Sequence, residues 1–552
     1  MLLDTILGGG RITTMDPRHP RARTIGFLNG RVVGLDQDLA GVRARSYLDV
    51  GGRHVVPGFI DAHCHTAWFG LGLVEPTVNS CTSLAEVVHV LRVAADDLAE
   101  VETGSSSRGW LVVSGFDHDR FGGRFPPLSD LDDATGDHPL FMRHVSGHLA
   151  VVNTAALRRT GVLSGSVAVP VGGRLAKDRT GALTGVVEET AQNLFQGAFQ
   201  PRPLSLLGPA VRAATGVYAQ QGITSFTDAG VGAGWISQSP VEVAAFQQAA
   251  DDGALLSRAQ LMPTLDALTP LDAHPADGFG RGLGLGVRTG FGSEMLSFGP
   301  VKVFLDGSLL ARTAAVHDPY CAHGDAPGSG TGYFQEDPER LRSAIEDAYR
   351  SGWAVAAHAI GDRAVDLALD VLEDLQRRWG RRVCPNRVEH ATLTRPEHLG
   401  RLAAAGVAVT PQASFFRDSG EAMSASLGPE RVRWAYRAAS FLAAGITVAG
   451  SSDRPVADGD PLRGMQAFVD RRTSRGTVFG APAERLTPFQ ALAAYTSGAA
   501  AATGAGRHKG SLTPGKLADA VILSGDPLNS PDIGALSVEG TLLGGEVVHW
   551  RL

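Results

Sequence analysis

The chain has 552 residues, of which 43 % are hydrophobic and 19 % charged, and its formal net charge is −7. This composition is typical of a large globular enzyme, and the acidic balance argues against nucleic acid or an anionic membrane as a partner. No apolar stretch approaches the roughly 20 residues that span a bilayer, and Asp4 stands where a signal peptide carries basic residues. The four cysteines are irregularly spaced and predict no disulfide framework. We therefore expect a cytoplasmic enzyme with a small-molecule substrate, and the composition leaves a homodimer open.

Both ends of the chain have the pattern of short β-strands. Residues 6–13, 24–28 and 31–35 come first, with an Asn-Gly turn between the last two segments. Residues 516–523, 537–543 and 546–550 return to this pattern at the other end. Neither end has enough apolar residues for a core of its own. We therefore predict that residues 1–56 and 505–552 form one composite β-sandwich domain.

Between the two ends, strand and helix patterns alternate, which predicts a parallel sheet with crossover helices. The predicted strands are residues 55–60, 140–145, 223–227, 259–264 leading on to 301–305, 354–357, 387–389, 407–410 and 446–449. Helices are predicted at 344–352, 363–377 and 433–444, the last with Gly445 as its C-cap. The fold class is thus α/β, a distorted TIM (β/α)8 barrel over residues 57–504. The long stretch within about 66–212 predicts an insertion after strand one.

Histidines and one aspartate follow several of these apolar runs. His63 and His65 close the first run, and residues two apart in a strand project to the same side. The side chains of His358, His390 and Asp453 follow later runs in the same way. Neutral imidazole and carboxylate are common ligands of zinc-class metals, and the C-terminal strand ends of a barrel converge. The pattern therefore predicts a metal centre at the mouth of the barrel.

Each ligand candidate also has an ordinary structural interpretation. His358 could be a hydrogen-bonded core residue. On spacing alone, His390 is about equally well explained as a metal ligand and as a hydrogen-bonded core residue. Asp453 could be a turn former, although its place beside the first strand also suits a metal ligand and general base. Lys302 lies inside an apolar strand, where a salt bridge to Asp306 or Glu189 is the structural alternative to a role at the metal.

Several longer motifs occur in a fixed order along the chain. They are residues 109–117 (GWLVVSGFD), 146–148 (SGH), 153–157 (NTAAL), 184–189 (TGVVEE), 301–308 (VKVFLDGS) and 358–362 (HAIGD). Together with the histidines, they resemble the YtcJ-like branch of the amidohydrolase superfamily, often called amidohydrolase family 3, which includes N-substituted formamide deformylase. The resemblance runs over nearly the whole chain. It is specific to the family and much less specific to any substrate.

The resemblance implies a divalent metal, zinc being favoured, held as one or two ions by His63, His65, His358, His390 and Asp453. His/carboxylate ligands also accept manganese, iron or cobalt. In binuclear relatives a lysine carbamylated by CO₂ bridges the two ions, and Lys302 would be that residue here. Glu189 is the rival bridging ligand, because some relatives use an unmodified side chain.

The resemblance also implies roles around the metal. His148 would polarise the substrate carbonyl, and Asp453 would act as the general base. Asp306 and Arg312 would organise the site, although a loop salt bridge explains them equally well. Trp68 and Phe116 could line the substrate pocket, although aromatic residues near strand ends are more often packing.

The predicted reaction is the hydrolysis of a non-peptide C–N bond of amide type by metal-activated hydroxide. An esterase or carbamate hydrolase could use the same centre. A mononuclear deaminase is a second alternative, but its usual His-x-x-Glu is missing because Gly361 stands at the glutamate position after His358. A metal-free binding protein is a third alternative, and no ligand candidate is lost in support of it.

Overall fold

The computed structural model describes residues 2–101, 109–321 and 330–551. Positions 1 and 552, the outer limits of the predicted composite domain, lie outside the described residues. Across these ranges no helix combines the length and the apolar character needed to cross a bilayer.

Two four-stranded parallel sheets carry the predicted site. The first consists, in spatial order, of Leu296–Phe298, Arg258–Pro263, Ile223–Val231 and Phe59–Cys64. The second consists of Val301–Phe304, Val355–Ala359, Arg387–His390 and Ala408–Thr410. This arrangement confirms an α/β fold with parallel strands.

Only isolated contacts join the two sheets. Single parallel bridges pair Thr264 with Lys302 and Val409 with Val448, and the Ala62 N–H donates to the Gly450 carbonyl at 3.2 Å. Over the part of the chain that the structure describes, the strands do not form one closed ladder, so the predicted closed barrel is not detected. The predicted eighth strand, residues 446–449, is represented by the Val448 bridge alone.

The prediction that residues 140–145 form the second barrel strand is wrong. Leu140–His144 pairs with Leu111–Phe116 and Leu149–Val152 in a separate sheet. The strand beside Phe59–Cys64 is Ile223–Val231. A buried apolar run specifies a strand, but it does not specify which partner the strand pairs with.

The predicted strand at 55–60 divides at Gly58. His54–Pro57 pairs antiparallel with Ala520–Leu523, whereas Phe59–Cys64 enters the parallel sheet. A Cβ at Gly58 would lie 2.0 Å from Thr224 Oγ1, so only glycine allows this close approach between the two sheets.

The chain leaves the parallel sheets after Cys64 and returns at Ile223. In between, it forms a five-stranded sheet with the order Gly173–Lys177, Leu183–Glu189, Leu149–Val152, Leu140–His144 and Leu111–Phe116. The helices of this region are Thr66–Val74, Leu84–Val101, Leu128–Thr135, Thr154–Arg159, Asn193–Gln196 and Leu204–Gln220.

Strands from the two chain ends share a six-stranded sheet. Its order is Glu546–Trp550, Val538–Leu543, Ala520–Leu523, His54–Pro57, Arg11–Thr13 and Arg21–Ala22. A four-stranded sheet of Arg31–Leu35, Ile25–Leu28, Leu2–Gly8 and Arg43–Asp49 accompanies it. Leu7, Phe27, Ile522 and Leu542 belong to one buried cluster, so apolar residues from both ends contact each other. The division of the chain into domains at residues 56 and 505 stays a prediction.

Further helices follow the parallel strands. They are Val243–Asp251, Pro338–Arg350, Asp362–Trp379, Pro396–Ala405, Ala413–Arg431, Ala438–Ala443, Pro461–Asp470, Pro488–Ala493 and Ala499–Ala502. Asp337 caps one of them by accepting the N–H groups of Glu339 and Arg340 at 3.1 Å, with Pro338 in the first turn. The helix predicted at 433–444 is shorter than expected, Ala438–Ala443, and Gly445 follows it with a φ of 77°. The short strands Thr269–Pro270 and Arg281–Gly282 form a small hairpin.

Candidate metal centre

Side chains from two strand ends and one loop meet at one point. Each of His63, His390 and Asp453 offers a ligand atom, and these atoms lie within 4.8 Å of one another. Asp453 Oδ1 is 3.2 Å from His63 Nε2 and 2.9 Å from His65 Nε2. All four residues are buried. The structure therefore brings together four of the five predicted metal ligands.

Asp453 is held in place by its backbone. Its N–H donates to the His63 carbonyl at 2.8 Å, and its φ of 57° is unusual for a residue other than glycine. The buried Oδ1 atom accepts no well-aligned hydrogen bond from any described residue. Among the same residues, His65 Nδ1 has no hydrogen-bond partner either. A buried carboxylate oxygen that faces two imidazole nitrogens without an aligned hydrogen bond would be satisfied by a cation between them, so the donor set fits a bound cation.

His390 is oriented by a partner outside the centre. Its Nδ1 lies 2.8 Å from Gln412 Oε1, and because an amide oxygen only accepts, Nδ1 carries the proton and Nε2 has the free lone pair. Its ring centroid is 4.9 Å from that of His63. Its φ of 67° places it, like Asp453, in the left-handed region.

His358 lies beside this group rather than within it. Its ring centroid is 4.5 Å from that of His390, and its Nε2 donates to the Gly307 carbonyl at 3.1 Å. This leaves Nδ1 as the nitrogen that can offer a lone pair to a metal.

Burial sets the protonation of these ligands. Desolvation lowers the pKa of His65 to about 4 and that of His390 to about 3, and it holds the pKa of His358 well below its usual value. Burial alone would raise the pKa of Asp453, but the adjacent His63 and His65 outweigh it and hold that pKa well below normal. Neutral imidazoles around an ionised carboxylate are the ligand set that zinc-class metals bind.

Lys302 enters the centre as the sequence predicts. Its side chain is buried, its Nζ is 3.4 Å from His63 Nε2, and it lies 4.7 Å from the centroid of the Phe304 ring. Burial lowers the pKa of Lys302 to about 8. Among the described residues it forms no salt bridge with Asp306 or Glu189, the two partners that the structural alternative required.

Glu389 is a functional residue that sequence reasoning missed. Its carboxylate contacts His63 Nδ1, and it accepts hydrogen bonds from Arg387 Nε and Thr410 Oγ1, both at 2.8 Å. Burial would raise the pKa of Glu389, but the charges of Arg387 and His63 hold it well below normal. A carboxylate on Nδ1 fixes the tautomer of His63 so that Nε2 faces the centre. An acidic residue directly before a predicted ligand, in a short predicted strand, was the available signal.

His148 lies on the other side of His358. The two ring centroids are 5.5 Å apart, and His148 Nδ1 is 2.7 Å from Glu189 Oε2. Burial lowers the pKa of His148, but the Glu189 charge outweighs it, so the net shift is upward. The Glu189 carboxylate also accepts from Thr313 and, at 2.8 Å, from Gln335 Nε2. Glu189 therefore supports His148 rather than reaching the group around Asp453.

The other predicted site residues are dispersed. Asp306 accepts the N–H groups of Ala315, Ile360 and Gly361 at 2.8–3.1 Å and thereby holds two loops together. Arg312 is half-buried in the same loop region with a φ of 57°. The Trp68 ring centroid lies 5.8 Å from that of His65.

Phe116 is not brought to the centre. It is fully buried and packs against Phe121, Phe125 and His144 in the core of the five-stranded region. Its position after an apolar strand suggested a pocket residue, but that strand belongs to the insertion.

A second group with metal-ligand chemistry is explained by hydrogen bonding. Ligand atoms of Asp117, His118 and His144 lie within 4.8 Å of one another. The Ser146 N–H donates to His144 Nδ1 at 3.0 Å, so the proton of the neutral ring is on Nε2, which lies 2.9 Å from His118 Nδ1. That contact is an N–H···N hydrogen bond, in which His144 Nε2 donates and His118 Nδ1 accepts, so neither of these two nitrogens has a lone pair left for a metal.

The centre opens into a cavity with largely apolar walls. His148, His358, His390 and Asp453 line one part of it. The remaining wall includes Leu309, Leu310, Ile360, Phe415, Met423, Tyr436, Val456 and Ala457. A metal centre at the end of an apolar cavity is suited to a small molecule with an apolar substituent.

Comparison with known proteins gives one consistent result. The sequence model of the amidohydrolase family matches residues 47–549. The chain is similar to Protein LONG AFTER FAR-RED 3 of Arabidopsis thaliana, with 30 % identity over 100 % of this chain and 92 % of that protein. It is 27 % identical to Putative amidohydrolase YtcJ of Bacillus subtilis (99 % of each chain). It is also 27 % identical to N-substituted formamide deformylase of Arthrobacter pascens (95 % of this chain, 94 % of that protein).

Solved structures agree with the sequence matches. An uncharacterized metal-dependent hydrolase from Pyrococcus furiosus superposes with a TM-score of 0.69 at 26 % identity, covering 95 % of this chain and 100 % of that one. A second such hydrolase, from Pyrococcus horikoshii, has a TM-score of 0.72 at 24 % identity, covering 96 % and 99 %.

Proposed function

The chain belongs to the amidohydrolase family and is a metal-dependent hydrolase of non-peptide C–N bonds, and from this premise we propose how its residues divide the reaction. The observation that carries the proposal is the convergence of His63, His390 and Asp453 within 4.8 Å. His65 contacts the same Asp453 oxygen at 2.9 Å, and His358 lies beside His390. These five residues would hold the divalent metal, for which we keep zinc as the prediction.

When bound, the metal acts as a Lewis acid that lowers the pKa of water from about 15.7 toward about 7 and polarises a carbonyl oxygen. Asp453, ionised and buried, accepts the proton that the attacking water loses. It then returns this proton to the leaving nitrogen as the C–N bond breaks. The products are a carboxylic acid and an amine, and the proton count balances.

His148 would stabilise the charge that develops on the substrate carbonyl oxygen. It lines the same cavity as Asp453, and Glu189 binds its Nδ1, which directs Nε2 away from Glu189. A buried imidazole whose N–H points at the carbonyl oxygen would be an effective oxyanion stabiliser. Asp306 positions this region indirectly through the backbone of Ile360 and Gly361.

Lys302 remains the proposed bridge between two ions. Carbamylation would add a carboxylate group to Nζ. Because Nζ is 3.4 Å from His63 Nε2, that carboxylate would lie at the centre. Both oxygens of Glu189 already accept hydrogen bonds from His148, Thr313 and Gln335. This arrangement favours Lys302 over Glu189 as the bridging residue.

The deaminase alternative is weakened by the residue after His358. Asp362, the nearest acidic residue in that motif, accepts the backbone N–H of His317 at 3.0 Å and begins the helix Asp362–Trp379. It is therefore engaged in loop structure rather than poised as a proton shuttle. Esters and carbamates stay as alternative substrates of the same centre, because the same water would attack them.

We further propose that residues 57–504 act as a distorted (β/α)8 barrel and that the two chain ends form its composite β-sandwich companion. The isolated bridges at Lys302 and Val448 and the shared six-stranded sheet support this division. A cytoplasmic location, a small-molecule substrate and a homodimer remain predictions.

The test is a substrate panel on metal-reconstituted enzyme, with metal content measured on the same samples. N-substituted formamides come first, because the deformylase relative is named for them, followed by matched linear amides, esters and aminopurines. We expect hydrolysis of a formamide or amide with one or two metals per chain, and loss of both activity and metal in His63→Ala. A fully metallated enzyme that deaminates aminopurines and leaves every amide intact would overturn the proposal.

A further inference from the structure

One helix supplies a continuous wall of the catalytic cavity. Within Ala413–Arg431, Phe415, Asp418, Ser419 and Met423 line the cavity. Their spacing of three, four and eight residues from the first places them on one face of the helix. At 1.5 Å per residue, the wall from Phe415 to Met423 is about 12 Å long.

The metal end of this wall is aromatic. The Phe415 ring is stacked on His390 with centroids 6.2 Å apart and planes 12° apart. Tyr436 meets Phe415 edge-on at 6.5 Å. A flat apolar substituent on the scissile amide would lie against these rings.

Asp418 is the acidic residue of this wall. It lies about 4.5 Å farther along the helix axis than Phe415, and solvent reaches its side chain. No described residue forms a salt bridge with it within 4 Å, whereas the neighbouring Asp458 is paired with Arg463 at 2.8 Å. Burial and the charge of Asp458 raise the pKa of Asp418, while Arg417, the backbone N–H of Asp458 and Arg463 lower it.

The charges around Asp418 are of both signs. Asp418 faces Asp458, Arg417 and Arg463, Arg463 pairs with Asp458 and Asp460, and Asp460 also faces Arg454. Of these three carboxylates, Asp418 is the one that lines the cavity. The Ser414 hydroxyl donates to the Asp458 carbonyl at 2.9 Å and so attaches this loop to the helix. The carboxylates are therefore held near the cavity by the fold.

We propose that Asp418 selects substrates that carry a positively charged group beyond the apolar substituent of the scissile amide. The inference rests on the proposed function and specifies its substrate class. The apolar substituent would contact Phe415 and Tyr436, and the cation would lie one helical turn farther out, beside Asp418. Asp418 contacts no reacting atom in this arrangement, so its effect is on binding.

The experiment compares three formamides that differ only in the para group of a benzyl ring. They are N-benzylformamide, its 4-aminomethyl derivative and its 4-carboxy derivative. The corresponding benzyl alcohols, which carry the same para groups and a neutral hydroxyl in place of the formamide, are tested by calorimetric binding to the metal-loaded enzyme and give a readout that needs no turnover. Because the rim is partly exposed to solvent, we expect the cationic compound to be preferred about three- to tenfold over the neutral one, mainly through KM.

The decisive variant is Asp418→Asn. It should abolish the preference for the cation, improve the carboxylate compound and leave the neutral compound within about twofold. The matched control is Glu421→Gln, which removes the same charge from the same helix at a position that accepts from Thr477 Oγ1 at 3.0 Å. This control should keep the wild-type preference.

The outcomes test the role of Asp418 and the proposed reaction separately. Wild-type enzyme that ranks the three compounds equally, or Asp418→Asn that weakens all three alike, overturns the role of Asp418. If no formamide or linear amide is hydrolysed but the benzyl alcohols keep their Asp418-dependent ranking, the selectivity stands and the proposed reaction fails. If the formamides are hydrolysed without charge preference, the reaction stands and the selectivity fails.

Discussion

Replacement of Glu389 by glutamine should change the tautomer of His63 while leaving the shape of the site nearly unchanged. Glu389 contacts His63 Nδ1 and accepts from Arg387 Nε at 2.8 Å. Arg387 only donates, so a glutamine would turn its carbonyl oxygen toward Arg387 and its amide nitrogen toward His63. His63 Nδ1 must then accept, and its proton moves to Nε2. That atom is 3.2 Å from Asp453 Oδ1 and would have no lone pair for a metal.

Two magnitudes follow from this geometry. Loss of a carboxylate that orients a histidine ligand typically lowers metal affinity 10- to 100-fold, which is about 1.4–2.7 kcal/mol. Arg387 is fully buried, and removal of a buried partner charge costs about 3–5 kcal/mol. Because glutamine keeps one hydrogen bond to Arg387, we expect the lower end of that range for the free energy of unfolding.

The assay is chelator competition for metal affinity, with scanning calorimetry of metal-free and metal-loaded protein. Thr410→Val is the matched control, since it removes the 2.8 Å hydrogen bond to Glu389 and leaves the carboxylate on His63. It should cost about 1.5 kcal/mol or less and leave metal affinity within about threefold. A folded Glu389→Gln protein with wild-type metal affinity would refute the tautomer argument.

Three further predictions concern other parts of the molecule. Lys302→Ala should lose activity together with a metal ion. A short carboxylic acid should restore part of the activity in rate assays and part of the bound metal in metal analysis. If the variant retains two tightly bound ions, Glu189 becomes the next candidate for the bridging residue. Burial raises the pKa of Glu242 to about 8 from an ordinary value near 4.5, so its folded form keeps a proton that the unfolded chain releases, and stability is lost as pH rises between these values. Glu242→Gln should therefore reduce the stability difference between pH 5 and pH 8 by about 1–3 kcal/mol in calorimetry, and parallel pH profiles would contradict this. Gly147 has a φ of 71°, and a Cβ there would lie 2.7 Å from Trp68 Cη2. Gly147→Ala should therefore destabilise the enzyme by at least about 1–2 kcal/mol. An unchanged melting temperature would argue against this prediction.

Local patterns in the sequence were sufficient to predict which side chains meet at the candidate metal centre, whereas their role as metal ligands stays a prediction. His63, His65, His358, His390 and Asp453 each follow an apolar run, and a strand delivers its last side chains to one edge of a parallel sheet whatever its neighbours are. The family resemblance was confirmed by the match over residues 47–549. The position of Lys302 inside an apolar strand indicated burial near the centre, and its Nζ lies there.

Only the tertiary structure decided how the strands pair and which groups support the ligands. Residues 140–145 have the composition of a barrel strand, yet Leu140–His144 joins the insertion sheet, and Phe116 goes with it. Glu389 reaches His63 across 326 positions of sequence. Periodicity encodes which face of a segment is buried, because burial is local to each residue. Pairing and support depend on contacts between distant segments, and no local pattern encodes them.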